Sequence, residues 1–272
     1  MTGFDDRGAV LVSEERHVLR VTLNRPEQHN GITGELLAAV HEALDRAERS
    51  PDCRLVVLEG AGGVFSTGMD FAEASRDGGG PDEVAAQGGE LFYGLLKRFT
   101  TCPRVIVSVV DGRAVGGGVG LAAAGDFVLA TERSSFSLPE ALWGLLPACV
   151  LPFLIRRVGF QPAYAMTLST LPVSAAEAAR VRLVDELTDE PQRAVRRLGN
   201  RVAKLDVSVI RDMKDYFRRL WILNEDTERT AVAEFSRMMS SPLVRGRIGD
   251  FAAHQRFPWE SPQHAGGGER QA

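Results

Sequence analysis

Short apolar runs alternate with helical segments through the N-terminal part of the chain, and this alternation constrains the fold more than any other feature. Residues 55–58 and 105–110 are almost wholly apolar and rich in β-branched side chains, as in strands buried on both faces of a sheet. Residues 10–23 and 127–130 predict further strands, and residues 33–50 place apolar side chains at helical spacing. Parallel strands need crossover helices of this kind, so the pattern predicts an α/β fold with a mostly parallel sheet.

After Pro147 the chain predicts mainly helices, with one last strand expected at residues 184–187. Helical spacing of apolar residues covers the segments 151–158, 162–168, 175–182, 195–204, 207–223, 225–239 and 243–254. The sequence thus predicts an α/β core over residues 1–190, a helical C-terminal region over 191–260 and a disordered tail over 261–272. Aromatic side chains of the helical region suit a subunit interface better than catalysis. They are Tyr216, Trp221, Phe235, Phe251 and Phe257.

Charge and composition exclude several functional classes. The 272 residues carry 32 basic and 36 acidic side chains, a net charge of −4, which argues against a nucleic-acid or anionic-membrane surface. No apolar run approaches the roughly 20 residues that cross a bilayer, and the acidic start lacks a signal-peptide stretch, so we expect a cytoplasmic protein. Cys53, Cys102 and Cys149 lie far apart among apolar residues, and the histidines form no ligand pair. We therefore expect reduced cysteines, no metal and no cofactor.

Two glycine-containing turns follow predicted strands. The first spans residues 63–71 and the second spans residues 111–120. Glycines at a strand end permit positive φ and close approach of a ligand to the backbone, and a turn running into a helix leaves amide N–H groups unpaired. Two such turns on neighbouring strands are able to aim one N–H each at a single oxygen. That arrangement is an oxyanion hole, in which each donor contributes roughly 2.7–4 kcal/mol toward a developing anion.

Other interpretations of the glycines are weaker or remain open. Tight turns and helix–sheet packing alone would account for a single glycine turn. A dinucleotide site needs G-x-G-x-x-G, and Leu121 stands where the third glycine belongs. The chain has no P-loop triplet and no G-x-S-x-G elbow, which argues against a nucleotide hydrolase and a serine hydrolase.

Four motifs together resemble the crotonase (enoyl-CoA hydratase/isomerase) superfamily. They are Asn-Arg-Pro-Glu at residues 24–27, Phe-Ser-Thr-Gly-Met-Asp at 65–70, Gly-Gly-Gly at 116–118 and Ser-Leu-Pro-Glu at 137–140. The resemblance implies a spiral of ββα turns and a helical C-terminal region that builds homotrimers or hexamers. It also implies that an acyl-thioester carbonyl is held between two backbone amides and that the chemistry passes through an enolate.

Catalytic positions follow from the resemblance residue by residue. The amides of Met69 and Gly117 match the oxyanion hole, and Glu140 matches one of the two glutamates of enoyl-CoA hydratases. The second glutamate would stand at Gly120, so the resemblance favours an enzyme with a single base or a relocated second acid. Asp70 has two interpretations, a turn-stabilising carboxylate or a second proton-transfer group.

A single base is chemically sufficient, because two amides on the carbonyl oxygen stabilise the enolate and one carboxylate can move the proton. We expect apolar neighbours, Leu138, Leu142 and Trp143, to raise the pKa of Glu140. Further positions could contact the acyl group or simply pack. They are Phe65, Gly68, Phe71, Gly116, Leu142, Trp143 and Leu146. Lys97 and Arg98 are candidates for binding a distal carboxylate, with a solvated helix face as the alternative.

Within the superfamily, residues 65–71, 130–140 and 144–154 look like the dehydratase of polyketide β-branching cassettes. This resemblance implies dehydration of a 3-hydroxy-3-methylglutaryl-type thioester to the 3-methylglutaconyl thioester. The substrate would be tethered through phosphopantetheine to an acyl carrier protein, with coenzyme A as the alternative tether. Three other functions stay open: a one-base enoyl-CoA isomerase or hydratase, the decarboxylating sibling of the same cassette, and a catalytically silent crotonase-fold binding subunit.

Overall fold

The computed structural model describes residues 8–74, 81–221 and 224–260. Its strands are β1 (Val10–Glu15), β2 (Val18–Leu23), β3 (Leu55–Gly60), β4 (Val105–Val110), β5 (Arg113–Val115), β6 (Phe127–Ala130), β7 (Ser135–Ser137), β8 (Val173–Ser174) and β9 (Glu186–Leu187). Its helices are α1 (Gly34–Arg49), α2 (Phe71–Ala74), α3 (Pro81–Thr101), α4 (Gly117–Ala124), α5 (Glu140–Trp143), α6 (Leu151–Val158), α7 (Phe160–Ser169), α8 (Ala175–Arg180), α9 (Pro191–Val202), α10 (Val207–Leu220), α11 (Glu225–Met239) and α12 (Pro242–His254). Short 3₁₀ turns lie at Pro26–Gln28, Ala61–Gly63 and Pro258–Glu260.

The larger sheet within the described residues has six strands in the order β1-β2-β3-β4-β6-β9. Only β1 and β2 pair antiparallel, and the remaining neighbours are parallel, as the strand–helix alternation predicts. Every residue of β4 is buried, because helices cover both faces of the sheet. The carboxyl ends of β3 and β4 therefore lie side by side, and the two glycine turns leave the sheet from this edge.

The last strand is shorter than the sequence predicts. A strand was expected over residues 184–187, but β9 contains only Glu186 and Leu187. The amides of Leu183 and Val184 donate to the carbonyl of Ala178, at 2.8 and 3.2 Å, and so close the end of α8. Because its amide is used locally, Val184 does not pair with β6, whereas the amide of Asp185 donates to the carbonyl of Val128 in β6 at 2.9 Å.

A smaller sheet holds the second glycine turn beside the first. Within the described residues it has three strands, in the order β5-β7-β8. An isolated bridge between Ser66 and Ala114 adds the first turn to the edge of this sheet. The sequence did not indicate these strands, since runs of two or three residues carry no recognisable period.

Helices of the C-terminal region cover the face of the larger sheet opposite α1. Val195 and Val202 of α9 and Ile210 of α10 pack in one core with Leu55 and Val107 of the sheet. The predicted helices are present with small changes at their ends, and residue 223 and the tail 261–272 lie outside the described residues. The division near residue 190 stays a prediction. Among the described residues, no helix combines the length and the apolar character that crossing a membrane requires.

Most aromatic residues of the C-terminal region also contact the rest of the same chain. Phe251 and Phe257 pack at 5.3 and 6.2 Å from Trp143 of the same chain, measured between ring centroids. Trp221 packs on Phe153 at 5.7 Å. These side chains therefore contribute to intrachain cores while staying partly exposed, and their place in a subunit interface stays a prediction. Phe235 also packs against the main core, whereas Tyr216 remains 60% exposed.

Candidate active site

The first glycine turn is oriented by Ile32. The amide of Ile32 donates to the carbonyl of Gly68 at 2.7 Å, and the amide of Asp70 donates to the carbonyl of Ile32 at 3.1 Å. In a trans peptide the carbonyl of one residue and the N–H of the next point in opposite directions. The Met69 N–H therefore points away from Ile32. It has no hydrogen-bond acceptor in the part of the chain that the structure describes.

The second glycine turn begins α4. The carbonyl of Gly116 accepts from the amides of Val119 and Gly120, at 2.9 and 3.3 Å, which starts the helix. By the same peptide geometry, the Gly117 N–H points out of the helix at its N-terminal end. Within the described residues it too lacks an acceptor. An N–H at a helix N-terminus favours negative charge on whatever oxygen approaches it.

The two turns are in backbone contact. Gly68 has φ of 80°, and a β-carbon on it would lie 2.9 Å from the carbonyl oxygen of Val115 and 3.1 Å from the amide nitrogen of Gly117. A β-carbon on Gly117 would lie 3.6 Å from Cα of Gly68. Only glycine permits both this φ and this approach. The residue that precedes Met69 therefore touches the residue that carries the second free amide.

Glu140 places a carboxyl group against the same turns. Its Oε1 lies 3.0 Å from the position that a β-carbon on Gly116 would occupy. Its Oε2 is buried and has no hydrogen-bond partner in the described chain. Burial raises the pKa of Glu140 to about 7, and a backbone hydrogen bond at the same residue lowers it to a smaller extent. A carboxyl group with a pKa near neutrality is able both to take and to return a proton at physiological pH.

The surroundings of Gly120 leave no room for a second glutamate at that position. A β-carbon there would lie 2.9 Å from Cγ2 of Val150, 3.2 Å from Cζ of Phe92 and 3.3 Å from Cδ1 of Leu96. Apolar side chains from two segments, α3 and the start of α6, fill the space. A glutamate at residue 120 would displace them and bury its charge without a partner.

Asp70 is engaged in structural contacts. Its Oδ2 accepts from Nη2 of Arg25 at 2.9 Å, and its Oδ1 accepts from the amides of Ala72 and Glu73 at 3.1 and 3.2 Å. Both oxygens are thus used to hold the turn and to start α2. These bonds favour the turn-stabilising interpretation of Asp70 over a second proton-transfer role.

Of the residues expected to line the pocket, Trp143 of α5 packs against the first residue of α2. Its ring lies 4.6 Å from that of Phe71, two residues after Met69. Phe65 has no exposed surface and packs in the main core, so it does not line an open pocket. Leu146 is 41% exposed, and its contact with an acyl group stays a prediction. Leu142 is 39% exposed, so it shields Glu140 less than expected.

The two cations proposed for a distal carboxylate are already paired. Nζ of Lys97 lies 2.6 Å from Oε2 of Glu228. Arg98 binds Asp45 and also Glu48, the latter at 3.0 Å. These ion pairs join helices on a partly exposed surface, and binding of a distal carboxylate by Lys97 or Arg98 stays a prediction.

Several residues of the site escaped the sequence analysis. No pattern indicates Ile32, which orients the first turn, or Phe92, whose Cζ would lie 3.3 Å from a β-carbon on Gly117. Ser66 stands inside a recognised motif, but its buried hydroxyl was given no role. The relevant signal for Ser66 is a small polar residue between apolar ones directly before a glycine turn.

Similarity to known proteins extends over nearly the whole chain. A family model described as enoyl-CoA hydratase/isomerase matches residues 13–262. The bacillaene synthase dehydratase PksH of Bacillus subtilis (strain 168) is 35% identical over 252 residues, which cover 92% of this chain and 96% of PksH. The 1,2-epoxyphenylacetyl-CoA isomerase of Escherichia coli (strain K12) is 33% identical over 184 residues, which cover 66% of this chain and 70% of the isomerase.

A solved structure shares the fold. The crystal structure of pksH from Bacillus subtilis, described as a polyketide biosynthesis enoyl-CoA hydratase, superposes with a TM-score of 0.83 at 34% identity. The match covers 92% of this chain and 99% of that chain. It confirms the α/β architecture with a helical C-terminal region that the motifs implied.

Proposed function

Because this chain belongs to the enoyl-CoA hydratase/isomerase family, we propose that it is an acyl-thioester dehydratase that uses Glu140 as its single acid–base group. The observation that carries the proposal is the Glu140 carboxyl group, which is buried, unpartnered in the described chain and packed against Gly116. An unpartnered buried carboxyl group destabilises a fold, so its presence beside two free amides indicates a ligand that completes the contacts.

In the reaction, the thioester oxygen accepts hydrogen bonds from the amides of Met69 and Gly117. The Glu140 carboxylate removes the proton from the α-carbon, and the electron pair moves to the thioester oxygen as an enolate. When the carbonyl re-forms, the electron pair makes the carbon–carbon double bond and the hydroxyl leaves the β-carbon. Glu140 returns its proton to that hydroxyl, which departs as water, so the carboxylate is regenerated.

A single base suits dehydration on one face of the substrate. Because Val150, Phe92 and Leu96 occupy the space at Gly120, no second carboxylate is needed or accommodated there. The proton taken from the α-carbon and the proton given to the leaving hydroxyl are then the same one. A group that acts first as base and then as acid needs a pKa near neutrality, and burial raises the pKa of Glu140 to about 7.

For the substrate, we propose a 3-hydroxy-3-methylglutaryl-type thioester carried on the phosphopantetheine of an acyl carrier protein in polyketide synthesis. Similarity to the bacillaene synthase dehydratase PksH over 96% of that protein supports this choice. The product would be the 3-methylglutaconyl thioester. Retention of Glu140 favours dehydration over decarboxylation, since loss of carbon dioxide creates the enolate without removal of an α-proton.

A one-base isomerase is the second candidate. It is favoured by the absence of a glutamate at Gly120 and by the similarity to the 1,2-epoxyphenylacetyl-CoA isomerase of Escherichia coli. Such an enzyme would move the proton between two carbons of the acyl chain through the same enolate. A binding subunit without catalysis is less favoured, because the candidate base and both amides are present together.

Mass spectrometry of the intact acyl carrier protein separates these functions. The protein is incubated with 3-hydroxy-3-methylglutaryl carrier protein and, in parallel, with the same acyl group on coenzyme A. We expect loss of one water from the carrier-bound substrate, with slower turnover of the coenzyme A thioester. A third incubation supplies the 3-methylglutaconyl carrier protein, and loss of carbon dioxide from it would identify the decarboxylase. Unchanged mass together with turnover of a 3-enoyl-CoA would identify the isomerase.

We also propose that the chain assembles as a homotrimer, with a hexamer as the alternative. Large exposed apolar side chains on α7 and α10 support an interface, because monomeric proteins seldom leave such stripes in water. They include Phe160, Tyr164, Leu168, Phe217 and Leu220. Light scattering coupled to size-exclusion chromatography tests the assembly, and a monomer at micromolar concentration would contradict it.

A further inference from the structure

Ser66 lies within the first glycine turn, packs against the second and takes no part in the reaction described above. It has no exposed surface, and its Oγ accepts from the amide of Gly68 at 3.3 Å while donating to the carbonyl of Asn30 at 2.8 Å. On its other side, a β-carbon on Gly118 would lie 2.4 Å from the carbonyl oxygen of Ser66 and 3.1 Å from its Cβ. Ser66 thus connects the turn that carries Met69 with the first turn of α4.

The hydroxyl of Ser66 completes the restraint on Gly68. The Gly68 carbonyl is held by the amide of Ile32 at 2.7 Å, and within the described residues the Gly68 N–H has no acceptor other than Oγ of Ser66. With both ends of the residue held, its φ of 80° is maintained. The direction of the next N–H, that of Met69, follows from this orientation because the intervening peptide is planar.

The acceptor that holds Ser66 is itself fixed. Asn30 is fully buried, and its Oδ1 accepts from the amide of Arg25 at 2.9 Å. Its Nδ2 donates to the carbonyls of Ala61 and Val64, at 2.9 and 2.7 Å. All side-chain polar atoms of Asn30 are therefore engaged, and its carbonyl presents a rigid anchor for the Ser66 hydroxyl.

We propose that Ser66 is a positioning residue for the oxyanion hole, whose hydroxyl holds the Gly68 peptide so that the Met69 N–H points at the thioester oxygen. The inference rests on the acyl-thioester chemistry proposed above. Without Oγ, the buried Gly68 N–H would lose its acceptor, and the peptide would rotate toward another one. The two donors would then no longer converge on one oxygen.

The test measures polarisation of a bound carbonyl separately from turnover. Isovaleryl-pantetheine with ¹³C at the thioester carbonyl has no 3-hydroxyl and cannot be dehydrated, so its infrared carbonyl stretch reports the hole alone. In the unsubstituted protein we expect the stretch to move to lower frequency on binding. In Ser66→Ala we expect a smaller movement with little change in Kd. For the hydroxyacyl substrate we expect kcat to fall roughly tenfold with KM little changed, less than the 10²–10³-fold loss of a deleted donor.

Ser134→Ala is the matched control, because Ser134 is also buried and donates from Oγ to a backbone carbonyl, that of Val110, at 2.9 Å. We expect this variant to keep the carbonyl shift. If Ser66→Ala does not fold, Ser66→Cys replaces it, since sulfur forms a longer and weaker hydrogen bond and should also reduce the shift. A full shift and normal kcat in a folded Ser66 variant would overturn the proposal.

Failure of the proposed function gives a different result. If the protein dehydrates no hydroxyacyl thioester but still shifts the isovaleryl carbonyl in a Ser66-dependent way, the positioning role stands and the assigned reaction is wrong. If the unsubstituted protein produces no carbonyl shift, no oxyanion hole exists and the role of Ser66 is wrong with it.

Discussion

The ring of Trp143 packs on the ring of Phe71 with their centroids 4.6 Å apart, which joins the helix of the candidate base to the turn that carries the Met69 amide. Three aromatic rings of the C-terminal segment enclose Trp143 at 5.3 to 6.2 Å; they are Phe251, Phe257 and Trp259. Because α5 has only one turn, from Glu140 to Trp143, packing rather than helix length fixes its position.

Trp143→Ala should therefore impair catalysis more than its loss of stability explains. A large buried aromatic replaced by alanine costs about 3–5 kcal/mol, and a displacement of Glu140 by about 1 Å would lower kcat by roughly 10²-fold. The control is Trp221→Ala, which removes a ring packed on Phe153 at 5.7 Å, away from α5. Tm and kcat are measured for both variants. Equal losses of kcat at equal losses of Tm would contradict the positioning role of Trp143.

Glu140→Gln should lower kcat for dehydration by at least about 10²-fold, because the amide keeps the shape of the side chain but cannot exchange a proton. Substrate binding, measured as Kd for isovaleryl-pantetheine, should change little. Glu132→Gln, an exposed carboxylate outside the site, serves as the control. A near-normal rate in Glu140→Gln would transfer the role of the base to another group.

The rate should depend on the ionisation of Glu140. Burial raises the pKa of Glu140 to about 7, and the reaction begins with the carboxylate form. We therefore expect kcat/KM to rise with pH through about 7 and to level off above it. The residual activity of Glu140→Gln should lack this step. A profile that is flat between about pH 5 and about pH 8 would contradict the assignment.

The same ionisation should appear in stability. The folded-state pKa of Glu140 lies above its ordinary value of 4.5, so its contribution to folding is fully present below pH 4.5 and is lost as pH rises through about 7. The full difference corresponds to about 3 kcal/mol. Urea unfolding of the protein and of Glu140→Gln at several pH values measures it. Relative to the variant, the unsubstituted protein should lose stability with rising pH, and a constant difference would contradict the prediction.

Asp70→Asn should separate structure from catalysis. The asparagine retains one carbonyl oxygen for the amides of Ala72 and Glu73 but loses the ion pair with Arg25. We expect a lower Tm and a kcat within a few-fold of normal, in contrast to Glu140→Gln. A loss of kcat as large as that of Glu140→Gln, with Tm unchanged, would instead make Asp70 a proton-transfer group.

Gly120→Ala should destabilise the protein by about 1–3 kcal/mol, because the new methyl group would crowd Val150 at 2.9 Å. Gly88→Ala is the control. Gly88 lies on α3, and a β-carbon there would meet nothing within 4 Å, so this replacement should be neutral or slightly stabilising. Val150→Ala should relieve the effect in the double variant. The free energies of unfolding of the unsubstituted protein, Gly120→Ala, Val150→Ala and the double variant form a cycle. Additive effects would show that residues 120 and 150 are not coupled.

The sequence predicted the elements that carry strong local patterns. Residues 33–50 and 105–110 became α1 and β4 because each combines a clear period with high apolar content. The raised pKa of Glu140 was also foreseeable, since apolar residues surround it along the chain, and the resemblance supplied its role. The order of the motifs therefore sufficed for the fold, and the roles of Met69, Gly117 and Glu140 stay predictions.

Contacts between distant segments could not be predicted in this way. The space at Gly120 is filled by Phe92, Leu96 and Val150, and no local pattern relates α3 to the start of α6. The packing of Phe251 on Trp143 could not be predicted, because an apolar side chain has the same signature whether its partner lies in the same chain or in a neighbour. Lys97 of α3 pairs with Glu228 of α11, a contact between helices that lie far apart in the sequence.

Both donors of the candidate oxyanion hole belong to the main chain, so no replacement other than proline deletes the N–H of Met69 or Gly117. Replacements of the surrounding acids, in contrast, change which proton moves and which group leaves. Substitutions of acidic side chains on this scaffold are thus able to change the reaction while the two backbone donors stay in place. The resemblance places the second hydratase glutamate at residue 120, where this chain instead has a glycine packed against apolar side chains.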